Sequence, residues 1–536
     1  MSVPPLRRLP PRPSLEQLRK QAKELLVTLR ASDPAAGLSS AQHALAREYG
    51  FESWPKLVHY VEAMQPERRM LQPAELKSEQ KLTWSAGRGI DVWALMQACT
   101  AGDLDVVQAL IAKDPSLARA HYDYRKPLYF AVRENRLDVV RFLLEHDYNP
   151  LDLWFDDNPI EIARDRGYAA MERLLAETLE TTFNASPKGE PVASALRKYD
   201  VKGMGELLDA QPELLNKGDE RSNQPIHWAT MTRQLDAIDE LLHRGADINA
   251  QRMDGARPIH LTNGDYFYRG WRDVLRSWRV TPAQVMAHLK TRGAVIDLPT
   301  ACHTGDIDRV RELLAQNPAL ANTVSEHEGY YLGAGSPLAN AAAVGRMDIV
   351  QLLLDHGANP NLAEEQYAPK GKALYSAVYN GHYEIAKLLL ERGAFPNPPV
   401  ESSGDALWVS RELRPNKRME ELLLSYGAAP AHEHREEDWS TQAHNWLRIT
   451  PLHQAARKGD VREAKKLLDA GADLTARDEH LQSTPLAWAA KFGQVEMVKF
   501  LLKRGAPKTL PDDPPWATPL AWAKKRGHDA IVKLLS

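Results

Sequence analysis

The chain has 536 residues, too many for one hydrophobic core, so several domains or a repeat array are required. Its 43% hydrophobic and 26% charged residues exclude a disordered chain. A net charge of -3, from 68 basic and 71 acidic residues, gives no overall attraction for nucleic acid or anionic membrane. Cys99 and Cys302 fall in different units and read as free thiols, consistent with a reducing cytosol. The N-terminus MSVPPLRRLPPRPS lacks the apolar stretch of a secretory signal, and nowhere do eighteen apolar residues run together. A soluble, cytoplasmic protein is expected.

The first predicted element is a helix in SLEQLRKQAKELLVTL. Ser14 and Gln17 have capping-box spacing, and Leu15, Leu18, Ala22, Leu25 and Leu29 share one face. A second helix around Ala41 to Tyr49 closes at Gly50, and a third starts near Ser53. Residues 1–65 thus form a helical leader. Trp54 to Val61 stands where a helix-turn-helix would place its recognition helix, but it offers only Lys56 as a fixed cation. Phosphate positioning takes several cations, so nucleic acid is not an expected partner. Residues 66–89, rich in charge and glutamine, read as a linker.

From residue 90 onward a helical pattern recurs, clearest in TPLHQAARKGDVREAKKLLDAGADLTARD, Thr450 to Asp478. Thr450 can cap a helix that accepts Pro451 in its first turn, and Gly459 ends it. A second helix carries Val461, Ala464, Leu467 and Leu468, and Gly471 permits the left-handed backbone that stops it. Positions equivalent to Pro451 are Ala94, Pro127, Pro159, Pro191, Pro225, Pro258, Asp297, Pro337, Ala373, Ala406, Pro485 and Pro519, giving thirteen units with their anchors. A glycine stands eight residues after most anchors. Where it is missing, as at Asn135 or Tyr199, the leucine pair still arrives on time.

These residues resemble the ankyrin repeat, a helix pair with a hairpin-like loop. The leader, particularly LAREYGFESWPKL, looks like the helical segment that precedes bacterial arrays of this kind. The resemblance implies an all-α ankyrin-repeat solenoid of about 12–13 helix-pair units over residues 90–536, with short β-hairpin-like fingers and an extended concave surface. In this family, partner contacts lie six and seven residues after the anchor, and the fingers project beside the concave face. His227, His260 and His453 occupy the motif position that makes hydrogen bonds within the repeat, so no function is assigned to them.

Anchor spacing is 32 to 34 residues at either end, but 39, 40, 36 and 45 occur between Pro258 and Pro451. Enlarged loops on a rigid scaffold are disproportionately functional. The first excess, NGDYFYRGWRDVLRSW, separates the helices of unit six, and Asp265 to Arg279 should protrude there. Tyr266, Phe267, Tyr268, Trp271 and Trp278 either build a satellite core or wall a ligand cleft. Long fingers then bring Tyr330, Tyr331, Tyr367, Trp439 and Trp446, while the contact positions bring Gly264, Asp265, His303, Thr304, Tyr379 and Asn380. One aromatic, hydrogen-bonding groove in the central units, about 258–450, is expected. Its ligand-binding residues would be Asp265, Tyr266, Tyr268, Trp271, His303, Tyr330, Tyr331, Tyr367, Tyr379 and Trp439.

The expected function is non-catalytic: a scaffold or adaptor holding a protein or peptide in that groove. The alternative is an enzyme or a binder of a small aromatic-stacking ligand, with Asp265 and His303 as orienter and base and Tyr330 or Tyr331 as hydroxyl donor. No cofactor and no metal are expected. His432, Glu433, His434 and His444 match no zinc spacing and lie among Glu436, Glu437 and Asp438. Gly333 to Ser336 is too short for a phosphate loop. Trp228, Trp488 and Trp522 read as scaffold, and Asp152, Asp156 and Asp157 near Trp154 as a solvated acidic finger. Arg457, Lys458, Lys491, Lys524, Lys525 and Arg526 could align as a basic strip that attracts an acidic segment.

Overall fold

The computed structural model describes residues 14–49, 51, 53–63, 70–82, 85–122, 125–146, 158–327, 329, 331–364, 368, 370–400, 404–429, 448–511 and 513–536. Three helices, Leu15–Ser32, Leu38–Glu48 and Trp54–Ala63, form the leader around Leu18, Leu45, Ala46 and Leu57. Ser14 caps the first by accepting from Gln17 N at 3.3 Å. The expected linker is not a free tether: Met70 and Leu76 are buried in the core of the first unit. None of the helices is long and apolar enough to cross a membrane among the described residues.

Thirteen units follow among the described residues, from Gly89–Ala101 with Leu104–Lys113 to Pro519–Lys525 with Asp529–Leu535. Unit six departs most, because its first helix is a single 3-10 turn, Pro258–Leu261. A two-stranded hairpin, Pro399–Val400 with Gly404–Asp405, decorates the fingers. Two motif histidines make structural hydrogen bonds as expected, each reaching the loop ahead of the next anchor. His227 Nδ1 accepts from Gln224 N and its Nε2 faces Ala250 O at 3.0 Å; His453 repeats this with Thr450 N and Ser483 O at 3.1 Å. Trp228, Trp488 and Trp522 are buried scaffold, each with its indole N–H hydrogen-bonded.

At three positions where the pattern lacks its glycine, the backbone still adopts the left-handed conformation. Asn135, Tyr199 and Arg233 have φ of 56°, 60° and 59°. The helix-to-helix turn demands that conformation, and a side chain there costs on the order of 1–3 kcal/mol.

The array curls until its ends meet, a closure that nearest-neighbour stacking alone does not require. Units one to three share one hydrophobic core with units eleven to thirteen, while units four to ten form another. Across the junction the Tyr129 hydroxyl bonds His480 Nδ1, Arg166 donates to His480 O at 2.8 Å, and the Arg166 guanidinium stands 4.3 Å over the Trp516 ring. Arg133 is fully buried against Glu134 at 2.9 Å and Glu479 at 3.5 Å. Burial alone would lower its pKa, but Glu134, Tyr129 and Glu479 together raise it, so it stays charged. Part of the basic strip is committed here: Arg526 pairs with Asp165 at 2.6 Å and Lys525 donates to Asp165 O. Arg133, Asp165, Arg166, Lys525 and Arg526 all stand six or seven residues after their anchors. The end units therefore occupy one another's contact positions.

Two outcomes follow for solution measurements. Burial holds His227 well below the ordinary histidine range, at about 3, with the nearby Arg252 charge adding to the effect. Between about pH 6.5 and that value the unfolded chain binds the proton and the folded chain does not, so stability falls as pH drops through this window. Urea denaturation of a His227→Gln variant should show a shallower pH slope there; an unchanged slope would contradict the assignment. Separately, Asp165→Arg or Arg526→Asp alone should enlarge the radius of gyration measured by small-angle X-ray scattering, and the double reversal should restore it. Equal radii in all four proteins would rule out closure through this pair.

Candidate functional site

The site is built where unit six breaks off. After Leu261 the chain turns at Asn263 and Gly264, where φ is 82° and a Cβ would overlap the Tyr268 carbonyl oxygen. Asp265 then fixes the loop: its Oδ1 accepts from Phe267 N at 2.9 Å and Tyr268 N at 2.7 Å. Only 2% of Asp265 is exposed. Such a buried carboxylate requires a counter-charge, and Arg252 Nη1 supplies it, 2.8 Å from Oδ2.

Arg252 is the hub. Its Nη1 also donates to Asn223 Oδ1 at 2.7 Å, its Nη2 to the Tyr331 hydroxyl at 2.9 Å, and its Nε to Asp254 at 3.1 Å. Burial would lower its pKa, but Asp254 first, then Tyr331 and Asp265, hold it raised. The fork geometry of arginine allows one side chain to reach four groups. It thereby joins the finger before unit six, the insert, unit five and the finger that carries Tyr331. Burial pushes the Tyr331 hydroxyl up to about 12, so it remains protonated.

The insert does not stand free. It lies back over units four and five, on the residues that replaced glycine. Leu275 N donates to the Tyr199 hydroxyl at 3.3 Å, and Trp278 packs on the Tyr199 ring at 4.9 Å. Trp278 Nε1 donates to Arg233 O at 2.8 Å, and Arg233 donates to Asn263 at 2.9 Å. Docking offsets the left-handed strain at Tyr199 and Arg233. A cleft of about 220 Å³ opens beside this contact, lined by Arg197, Arg221, Trp228, Phe267 and Tyr268 with Glu190, Asp219 and Glu220. Tyr268 meets Trp228 edge-on at 5.3 Å, while Arg221 and Arg197 lie 4.1 and 4.6 Å from the Phe267 and Trp228 rings.

The expected groove is thus divided. Asp265, Tyr268 and Tyr331 are brought together through Arg252, and Tyr268 and Phe267 line the cleft, which faces units four and five rather than seven to ten. Tyr266 packs edge-on to Phe267 at 5.3 Å, and Trp271 points outward. His303 lies elsewhere: burial lowers its pKa, and its Nδ1 is 3.0 Å from Asn340 Oδ1. The orienter–base pair of Asp265 and His303 is therefore not assembled, because each is held by a different partner. Tyr379 stacks 6.0 Å from Tyr375 beneath Arg414, in a separate nook. Tyr330, Tyr367, Trp439, Trp446, the acidic finger at Asp152 to Asp157 and the histidines from His432 to His444 lie outside the described residues. Arg252, Arg221 and Asn223 were missed, since single polar residues in fingers carry no periodic signal. The absent glycines at Tyr199 and Arg233 were the one available clue to where the insert docks.

Comparison with known proteins gives a consistent picture. The family described as "Ankyrin repeats (3 copies)" matches residues 80–153, 298–399 and 416–512, and "Ankyrin repeat" matches 223–252. The putative ankyrin repeat protein YahD of Escherichia coli (strain K12) is 31% identical over 153 residues, which is 28% of this chain and 72% of that protein. The putative ankyrin repeat protein FPV240 of Fowlpox virus is 29% identical over 131 residues, 24% of this chain and 32% of its own. The palmitoyltransferase ZDHHC13 of Homo sapiens is 24% identical over 162 residues, 30% of this chain but only 26% of its own length.

Proposed function

Because this chain belongs to the ankyrin-repeat family, whose arrays mediate protein–protein interaction, we propose that it is a binding scaffold whose partner docks on the insert of unit six. The partner is a protein segment that presents apolar side chains flanked by carboxylates. One observation carries this reading: the outward face of the insert exposes Trp271 by 75%, Tyr266 by 58%, Leu275 by 49% and Phe267 by 44%. An exposed apolar patch of this kind marks an interaction surface. Arg276 and Arg279 stand exposed on the same loop, without a hydrogen bond or ion pair among the described residues, and supply charge for steering. The self-occupied ends leave the central units as the open part of the array.

A second reading has its own support in the cleft. Arg221 Nη1 is buried there without a hydrogen-bond partner among the described residues, beside the Phe267 ring, which suits a small aromatic ligand bearing a carboxylate. Affinity capture followed by titration of the identified binder separates the two. Trp271→Ser with Leu275→Ser should weaken a protein partner at least tenfold without changing the melting temperature, since both side chains are exposed. Loss on Arg221→Met but not on the outer pair would favour the small ligand. Unchanged binding in both variants would refute the insert as the docking surface.

A further inference from the structure

His260 departs from its two counterparts. Its Nδ1 accepts from Arg257 N at 3.1 Å, as the motif requires. Its Nε2, however, meets no carbonyl among the described residues, whereas His227 and His453 spend theirs on Ala250 O and Ser483 O. The ring of His327, from the long finger after unit seven, stacks on the His260 ring 3.8 Å away at 16°. His327 is 2% exposed, its Nε2 faces Leu332 O at 3.1 Å, and its Nδ1 is buried with no hydrogen-bond partner among the described residues. The carbonyl fixes the proton on Nε2, so Nδ1 presents a bare lone pair. Asp297 completes the group. One of its oxygens caps the first helix of unit seven by accepting from Thr300 N at 2.9 Å. One ligand atom from each of His260, His327 and Asp297 lies within 4.8 Å of the others.

We propose that His260, His327 and Asp297 hold a divalent transition-metal ion, zinc by the chemistry of the donors. Two imidazoles and a carboxylate suit zinc and disfavour calcium or magnesium, which take oxygen ligands. A buried, unpartnered imidazole nitrogen calls for an explanation, and an ion is one of the few available. His327 and Asp297 already have the outer hydrogen bonds of metal ligands: a ring N–H directed at a carbonyl, and a carboxylate with one oxygen on a backbone amide. His260 must adjust. To bind through Nε2 it carries its remaining proton on Nδ1, so the bond from Arg257 N is given up, and the two stacked rings tilt until both planes contain the ion. Any proton displaced passes to solvent, and binding weakens as pH falls.

The ion would pin the finger that carries His327 to units six and seven. That finger carries Tyr331, whose hydroxyl accepts from Arg252 and so braces Asp265 beneath the insert. The site is independent of what the insert binds.

The test uses full-length protein stripped with a chelator and titrated with Zn²⁺ by calorimetry, and with Co²⁺ followed by its visible absorption. Asp297→Asn keeps an oxygen for the helix cap but lacks the charge, and His327→Gln removes the bare nitrogen. Each variant should lose one equivalent of Zn²⁺, or bind it at least tenfold more weakly, together with the corresponding Co²⁺ absorption. Far-UV circular dichroism of the metal-free proteins checks folding; should His327→Gln not fold, Asp297→Asn alone decides. Zinc uptake with equal stoichiometry and affinity in wild type and variants, or no uptake by wild type, overturns the site. A loss confined to one of two folded variants overturns the three-ligand arrangement.

Discussion

A buried guanidinium organises the centre of this molecule. Arg252 has 4% of its side chain exposed, and a charge so placed is tolerable only when its donors are used. Two carboxylates, a carboxamide and a phenol use them, and these come from four different segments of the chain. None of the four residues itself lies in a helix. Through this one side chain the insert, the finger before unit six and the finger carrying Tyr331 are tied to one another. The aromatic cleft and the exposed face of the insert inherit their geometry from it.

The same economy of polar contacts governs the ends. An ankyrin solenoid normally leaves its concave residues to solvent or to a partner. Here the contact positions of units two and three are spent on units eleven to thirteen, through a buried arginine, a ring-stacked arginine and an aspartate shared by Lys525 and Arg526. Lys525 and Arg526 of the basic strip find an acidic counterpart, Asp165, within the chain. Closure of this kind concentrates recognition in the middle of the array, where the repeat lengthens and the insert stands.

Periodicity made the scaffold legible. Prolines at helix starts, glycines eight residues later and leucine pairs located the thirteen units, because stacking imposes those residues at fixed intervals. The breaks in rhythm located the insert for the same reason. What periodicity could not convey was direction. Asp265 and His303 occupy contact positions of adjacent units, seven and six residues after their anchors, yet one turns to Arg252 and the other to Asn340, because the 3-10 turn at Pro258 ends the helix that would have aligned them. Contacts between residues several hundred positions apart, such as Tyr129 with His480, leave no local pattern. Tyr199 and Arg233 are instructive exceptions: each violates the glycine rule, and each is where the insert docks.

Hydrogen exchange on an Arg252→Lys variant tests the central claim most directly. Lysine keeps the charge but loses the planar fork, so it can satisfy one or two of the four groups and not all. The account predicts that residues 265–281, 323–327 and 331–336 lose protection together, while the second helices Leu235–His243 and Met347–Asp355 keep theirs. Loss confined to the turn around residues 252–256, with the insert and the distant finger unaffected, would contradict it.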